Sequence, residues 1–251
     1  MTIVPNRYDG KVAVITGAAS GIGQATALRI AAEGGQVLAL DVNAAGLEET
    51  AARAEGKLAT MVADLREPDT CRAAIDNAVE QFGRLDILGN VAGIARSEYV
   101  TDVSVEAYRQ MMAINVDACF FIAQAAIPHL LEANGVIINI ASNAGIMGQA
   151  YSVVYCMSKG AVILMTKALA MEYMKQPLRV LAIAPAGTDT GLVRGYKIPD
   201  GVDWDLIGHY TSPRGFAKSE DIAALFCFAA SDEAHNIHGV VLSSDNGITA
   251  G

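Results

Sequence analysis

Positive charge is scarce in this chain. Eighteen lysines and arginines stand against 27 aspartates and glutamates, a net charge of −9. Nucleic acid or an anionic bilayer would need a basic patch to dock on, so charge argues against both as partners. Cysteine is sparse as well. Cys71, Cys119, Cys156 and Cys227 show no metal-ligand spacing, and neither do the four histidines, so no metal is expected. Three of the thiols fall in predicted helices and read as the reduced, buried cysteines of a cytoplasmic protein. Cys156 has no histidine near it in sequence to activate it as a nucleophile. An apolar leader is not expected, since Met1 to Gly10 is polar. Membrane-spanning runs are not expected: Met111–Leu131 carries Asn115, Asp117, Gln124, Pro128 and His129, and Ala161–Met171 is short and broken by Lys167. With 52% apolar residues over 251 positions, the chain has material for the core of one large domain, residues 1–251.

What is present is an alternation. Short Val/Ile/Leu runs at Val12–Thr16, Gln36–Leu40, Lys57–Val62, Ile87–Asn90, Val136–Ile140, Val180–Ile183 and Val240–Leu242 read as strands. Helix-length segments separate them. One opens at Glu67-Pro68 with proline in its first turn, and another at Ser219 with Glu220 and Asp221 following. The pattern predicts an α/β fold, a doubly wound parallel sheet of about seven strands with helices on both faces. Ligands of such sheets bind beyond the carboxyl ends of the strands. Gly17, Asp41, Asp64, Asn90, Ser142 and Pro185 all follow strand ends.

Two constellations carry chemistry. Lys11-Val12-Ala13-Val14-Ile15-Thr16 runs into Gly17-Ala18-Ala19-Ser20-Gly21-Ile22-Gly23 and then into a helical pattern. Glycines at a strand-to-helix turn let backbone amides approach a pyrophosphate at the positive end of the helix dipole. The second strand ends in Asp41, placed to accept hydrogen bonds from an adenosine ribose. The second constellation is Tyr155-Cys156-Met157-Ser158-Lys159. Residues four apart share a helix face, and an ammonium beside a phenol favours the phenolate. Such a pair is a general acid/base for moving a proton on or off an alcohol oxygen, and Ser142 is placed to hydrogen-bond the same oxygen. Either motif alone is weak; the two together are not.

From Lys11 to about Ile248 these residues resemble the short-chain dehydrogenase/reductase family in its single-domain form, with a Rossmann-type fold. Thr16 to Gly23 matches the family's cofactor motif, which assigns Gly17, Ser20, Gly21, Ile22 and Gly23 to the dinucleotide. Asp64 matches its adenine-contacting aspartate, with Leu65 beside it. Asn90-Val91-Ala92-Gly93 matches its Asn-Asn-Ala-Gly motif, with Val91 at the second asparagine, and adds Asn90, Ala92 and Gly93 as cofactor contacts. Asn115, Ser142, Tyr155 and Lys159 fill the catalytic positions, with Lys159 and Tyr155 also touching the nicotinamide ribose. Asn115 is implied to hold a relay water on its backbone carbonyl. Pro185, Thr188 and Thr190 match the loop over the nicotinamide and pyrophosphate. There the chain reads Ala184-Pro185-Ala186 where Asn-Pro-Gly is usual, and Gly187 is expected to supply the missing backbone freedom.

The resemblance implies hydride transfer between NAD(H) and a secondary alcohol or ketone, and a homotetramer. Asp41 favours NAD over NADP. Apolar surplus on Ala113–Leu131 and Val153–Met174 fits a subunit contact. The glycine-rich excursion at about 188–218, with Tyr196, Trp204, His209 and Tyr210, reads as a substrate lid. Met147, Tyr151, Arg96 and the lid aromatics suggest an apolar pocket for a small-molecule alcohol. Three other readings compete. A 3-oxoacyl-thioester (acyl-carrier-protein) reductase usually takes NADPH, which Asp41 disfavours. A methyltransferase would leave the Ser/Tyr/Lys set unused. A non-catalytic NAD-binding regulator would have no chemical reason to keep that set.

Overall fold

The computed structural model describes residues 2–54, 58–191, 195 and 197–250. Seven strands form one parallel sheet: β1 (Val12–Thr16), β2 (Gln36–Asp41), β3 (Leu58–Val62), β4 (Ile87–Asn90), β5 (Val136–Ile140), β6 (Arg179–Pro185) and β9 (Val241–Ser244). Their spatial order is β3-β2-β1-β4-β5-β6-β9, with parallel registers throughout. The chain starts in the middle at β1, winds outward to β3, returns to β4 and winds outward the other way. Strand order therefore reverses between β1 and β4, which opens a crevice at their carboxyl ends.

The helices are α1 (Gly21–Ala32), α2 (Ala44–Arg53), α3 (Pro68–Phe82), α4 (Val105–Met112), α5 (Ala118–Ala133), α6 (Val153–Glu172), α7 (Trp204–Gly208) and α8 (Ser219–Ala230). Strands β1, β4 and β5 are buried along their whole length, as unbroken apolar runs require when both sheet faces are covered. On one face Ala27 and Ile30 of α1 pack with Ile222 and Phe226 of α8. On the other, Cys71 and Ile75 of α3 pack with Ile122 and Ile127 of α5. Proline sits in the first turn of α3, as read from sequence.

Strand positions agree with the sequence pattern and differ at their ends: β2 takes in Asp41, β6 begins at Arg179 and β9 runs on to Ser244. Lys57 lies outside the described residues. β6 runs on to Pro185 because its end pairs with β9, Pro185 opposite Ser244. β9 starts at Val241, one residue later than its apolar pattern suggests, because Val240 accepts from Ala182 outside the ladder. The excursion read as a lid is closed at its base: β7 (Thr188–Asp189) pairs in parallel with β8 (Ala217–Lys218). Of its aromatics, Tyr196 lies outside the described residues.

Candidate active site

Because all seven strands are parallel, Gly17, Asp41, Asp64, Asn90, Ser142 and Pro185 gather along one edge. A cavity of about 1040 Å³ opens there, at the upper end of single-ligand sites and large enough for a cofactor with a small substrate. Every residue that the sequence assigned to the cofactor lines it, Asn90 excepted.

The glycine turn is built by sterics. Gly17 (φ +68°) and Gly21 (φ +55°) take left-handed backbone. A Cβ on Gly17 would meet Ala92 Cα at 2.9 Å, and one on Gly23 would meet the Gly17 carbonyl oxygen at 2.1 Å. Thr16 braces the crossover: its hydroxyl donates to the Gly89 carbonyl (3.3 Å) and accepts from Val91 N (2.8 Å) and Ala92 N (2.9 Å). Asp41 ties the turn to β2, accepting from Ala19 N (3.1 Å) and Asn43 N (2.9 Å). Helix α2 is capped by Asn43, whose side chain accepts from Gly46 N. Capping is therefore not what Asp41 is for.

Helix ends decide where an anion fits. The N-cap of α4 is bonded by Ser104, and α8 carries Glu220 and Asp221 in its first turn. In α1 the N-cap Ser20 makes no side-chain capping bond and the first turn holds no acidic residue. The first N–H groups of α1 stay available, and the dipole there favours a phosphate. Open amides, glycines without room for a Cβ and an acidic group at the end of β2 together fit a dinucleotide.

Asp64 and Leu65 line the same cavity past β3. Arg66, which sequence reading overlooked, lines it too and grips the Asp64 carboxylate with its guanidinium (2.9 and 3.0 Å from Nε). That hydrogen bonding holds the Asp64 carboxyl below its usual range, with burial opposing weakly.

The side chains expected to be catalytic converge at the β5 end of the crevice. Lys159 is 5% exposed; its ammonium donates to the Ile140 carbonyl (2.8 Å) and lies 5.9 Å from the centre of the Tyr155 ring. Burial lowers the Lys159 pKa to about 8, with Cys119 pulling weakly upward. Space for the lysine comes from glycines: a Cβ on Gly145 would meet its backbone at 2.7 Å. Ser142 follows β5, its hydroxyl accepting from Ala144 N (3.1 Å) and donating to Asn143 Oδ1 (3.2 Å). Asn115 sits in a π turn, Ala113–Asp117, between α4 and α5, a device frequent at functional sites. Its side chain clamps Ile94, accepting from N (2.8 Å) and donating to O (2.9 Å), and donates to Ser158 Oγ (3.0 Å). Ser158 in turn donates to the Tyr155 carbonyl (2.8 Å). Asn115 thus braces the floor of the cavity without lining it.

Several expectations need correction. Asn90 is buried under the site, where its amide donates to Asn139 Oδ1 (2.9 Å), and Asn139 Nδ2 donates in turn to Thr166 Oγ1 (2.8 Å). It is a brace between β4, β5 and α6, because an asparagine on the middle strand points into the sheet's covering layer. Gly187 does not take left-handed backbone. Its lack of a side chain makes room for Phe216, whose ring a Cβ would meet at 2.4 Å. Arg96, Met147 and Tyr151 do not line the cavity; Arg96 pairs instead with Gln110 (2.7 Å). Trp204 is 65% exposed, and the excursion faces the cavity with Ile198, Ile207, Tyr210 and Phe216. Cys156 is only half buried, and burial raises its pKa, so it is no activated thiolate. Cys71, Cys119 and Cys227 are buried as expected. Among the described residues no cluster could hold a metal ion.

Comparison with known proteins agrees with this geometry. A family model described as enoyl-(acyl carrier protein) reductase matches residues 17–249. The chain is 38% identical to a D-threitol dehydrogenase of Mycolicibacterium smegmatis, over 97% of this chain and 94% of the relative. It is 34% identical to a 3-oxoacyl-[acyl-carrier-protein] reductase of Thermotoga maritima, over 96% and 99%. Among solved structures, a short chain dehydrogenase from Mycobacterium paratuberculosis bound to NAD superposes with a TM-score of 0.90 at 32% identity, covering 98% of this chain and all of that one. A short chain dehydrogenase from Burkholderia cenocepacia in complex with NADP gives 0.87 at 32% identity, over 97% and 99%.

Proposed function

The chain belongs to the short-chain dehydrogenase/reductase family of oxidoreductases, and on that premise we propose that it moves a hydride between NAD(H) and a secondary alcohol or ketone, with Tyr155 as the acid/base. One observation carries the reading: Tyr155, Lys159 and Ser142 line the same cavity as Asp41 and the uncapped N-terminus of α1. A bound nicotinamide would accept or give the hydride. The chain's own residues handle the proton. Tyr155 takes it from the alcohol oxygen as the carbonyl forms, or returns it in the reverse direction. The Lys159 ammonium favours the phenolate, and Ser142 orients the oxygen. Tyr155→Phe keeps the ring's packing, so folding and NADH binding should survive while kcat falls by about 10²–10⁴. Near-normal kcat in that variant would remove Tyr155 from the role.

NAD is the preferred cofactor in this reading. A 2′-phosphate beside Asp41 would add nearly two charges of the same sign. One unit pair at about 4 Å and an effective dielectric near 20 is worth about 4 kcal/mol before screening, which leaves roughly tenfold to a hundredfold in affinity. Of the cations lining the cavity among the described residues, Arg66 is already held by Asp64 and Lys159 sits at Tyr155. Equal wild-type kcat/KM with both cofactors, or no shift toward NADP in Asp41→Ala, would refute this. The 3-oxoacyl-thioester reductase reading is favoured by the Thermotoga relative; turnover of acetoacetyl thioesters exceeding that of every alcohol and ketone tried would establish it.

The excursion at 188–218 acts as the substrate lid in this reading. Tyr99 and Tyr151 meet edge to face (centroids 5.2 Å apart) and latch it: Tyr99 Oη donates to the Asp200 carbonyl (3.3 Å), and Tyr151 Oη accepts from Asp203 N (2.9 Å). The working form is a cytoplasmic homotetramer.

A further inference from the structure

Much of the cavity wall is apolar, with Ile94, Ile114, Ile198, Ile207 and Phe216 in its lining. One corner is not. Asn143 and Gln149 line the cavity beside Ser142, and they are bonded to one another, Gln149 Nε2 donating to Asn143 Oδ1 (3.1 Å). The same Asn143 oxygen accepts from Ser142 Oγ (3.2 Å). We propose, building on the dehydrogenase reading above, that Asn143 and Gln149 bind a second oxygen next to the reacting one, so that the substrate is a vicinal diol or the matching hydroxy ketone.

The chemistry of the corner sets the ligand. A side-chain amide offers one carbonyl acceptor and two N–H donors. The bonds above use one Gln149 N–H and the Asn143 oxygen. Gln149's carbonyl and second N–H, and both Asn143 N–H groups, are left for a ligand among the described residues. Donors and an acceptor side by side suit a hydroxyl, which gives one hydrogen bond and takes another. A carboxylate would want a cation, and among the described residues the cavity's cations are Lys159, at Tyr155, and Arg66, at Asp64. Spacing sets the class further. Ser142 Oγ holds the reacting oxygen and lies one hydrogen-bond length from Asn143 Oδ1, and the two oxygens of a gauche vicinal diol are separated by about one hydrogen-bond length. Asn143 is 4% exposed, so a substrate lacking the second hydroxyl would strand polar groups in a dry corner, which is how a site rejects the analogue without it.

The test uses matched pairs: meso-2,3-butanediol against 2-butanol, and cis-1,2-cyclohexanediol against cyclohexanol. The wild type should prefer the diol of each pair by roughly tenfold to a hundredfold in kcat/KM. Gln149→Leu should shrink that ratio at least tenfold, and calorimetric dissociation constants measured with NADH in the Tyr155→Phe background, where turnover is blocked, should show the same loss of preference for hydroxy ketone over plain ketone. No wild-type preference, or equal losses on both members of a pair in Gln149→Leu, would overturn the diol assignment while leaving the dehydrogenase standing. Absence of turnover on every alcohol and ketone with either cofactor would instead sink the dehydrogenase reading.

Discussion

Lys159 shows at the scale of one residue how function is held against stability. Its ammonium is buried, and burial lowers its pKa from 10.5 to about 8. The unfolded chain binds the proton more tightly, so between about pH 8 and 10.5 the unfolded state holds more protons and stability rises with pH. Below pH 8 both states are protonated and the folded state carries the full cost, on the order of 3 kcal/mol. Lys159→Met should therefore stabilise the ligand-free protein at pH 7 by roughly 1–2 kcal/mol, since the Ile140 carbonyl loses its donor and offsets part of the gain. The advantage should vanish by about pH 10.5. Urea unfolding of both proteins at pH 7 and 10 checks the sign, and turnover should be lost at either pH.

The expected residues that line the cavity were legible because their signals are local. A tyrosine four positions before a lysine shares its helix face wherever the helix goes, and glycines after a strand mean a tight turn in any parallel sheet. Asn143 and Gln149 gave no such signal; only the turn after β5 brings them together. Arg66 was hidden for the same reason, since its value lies in facing Asp64. Asn90 was misread because position in a motif says nothing about whether a side chain faces the cavity or the layer beneath it.

Among elements, the excursion between β7 and β8 deserves the closest test. Tyr151 sits at φ +61°, a backbone state that costs a non-glycine residue about 1–3 kcal/mol and persists where surroundings enforce it. The enforcing contacts are its carbonyl, accepting from Glu98 N (2.8 Å), and its hydroxyl on Asp203. Tyr151→Phe should weaken the latch by about 1 kcal/mol, raising substrate KM roughly threefold to tenfold with faster amide exchange across 200–205. Unchanged KM and exchange would mean that the latch does not hold the lid. The sequence marked this segment as a lid by its glycines and broken alternation. Its aromatic content misled, because the most conspicuous aromatic, Trp204, faces solvent.

For the whole molecule, the question is what covers α5 and α6. Val105–Ala133 and Val153–Glu172 are each long and apolar enough by composition to cross a bilayer, yet they pack on the sheet with 44% and 39% of their most apolar stretch buried. Phe120, Met157, Leu164 and Met171 remain exposed, Leu164 and Met171 at 67%. Exposed apolar residues along two neighbouring helices mark an interaction surface, and a second copy of the chain is the occupant expected here. Light scattering should give a mass near four times 26.2 kDa, and Leu164→Asp with Met171→Asp should yield smaller species. A wild-type monomer at micromolar concentration would end that expectation.

The two-residue ladder at the base of the excursion has an evolutionary consequence. Thr188 and Asp189 are stitched to Ala217 and Lys218, so the ends of the intervening loop stay fixed whatever its contents. Doubling the length of a loop with fixed ends costs only about 0.6 kcal/mol. Insertions, deletions or transplanted loops beyond Thr190, which lies against Gly21 of the glycine turn, are therefore cheap, and they leave Asp41 and the Tyr155 helix in place. A lineage carrying this fold can retarget its substrate by rewriting one segment while the redox machinery is inherited intact.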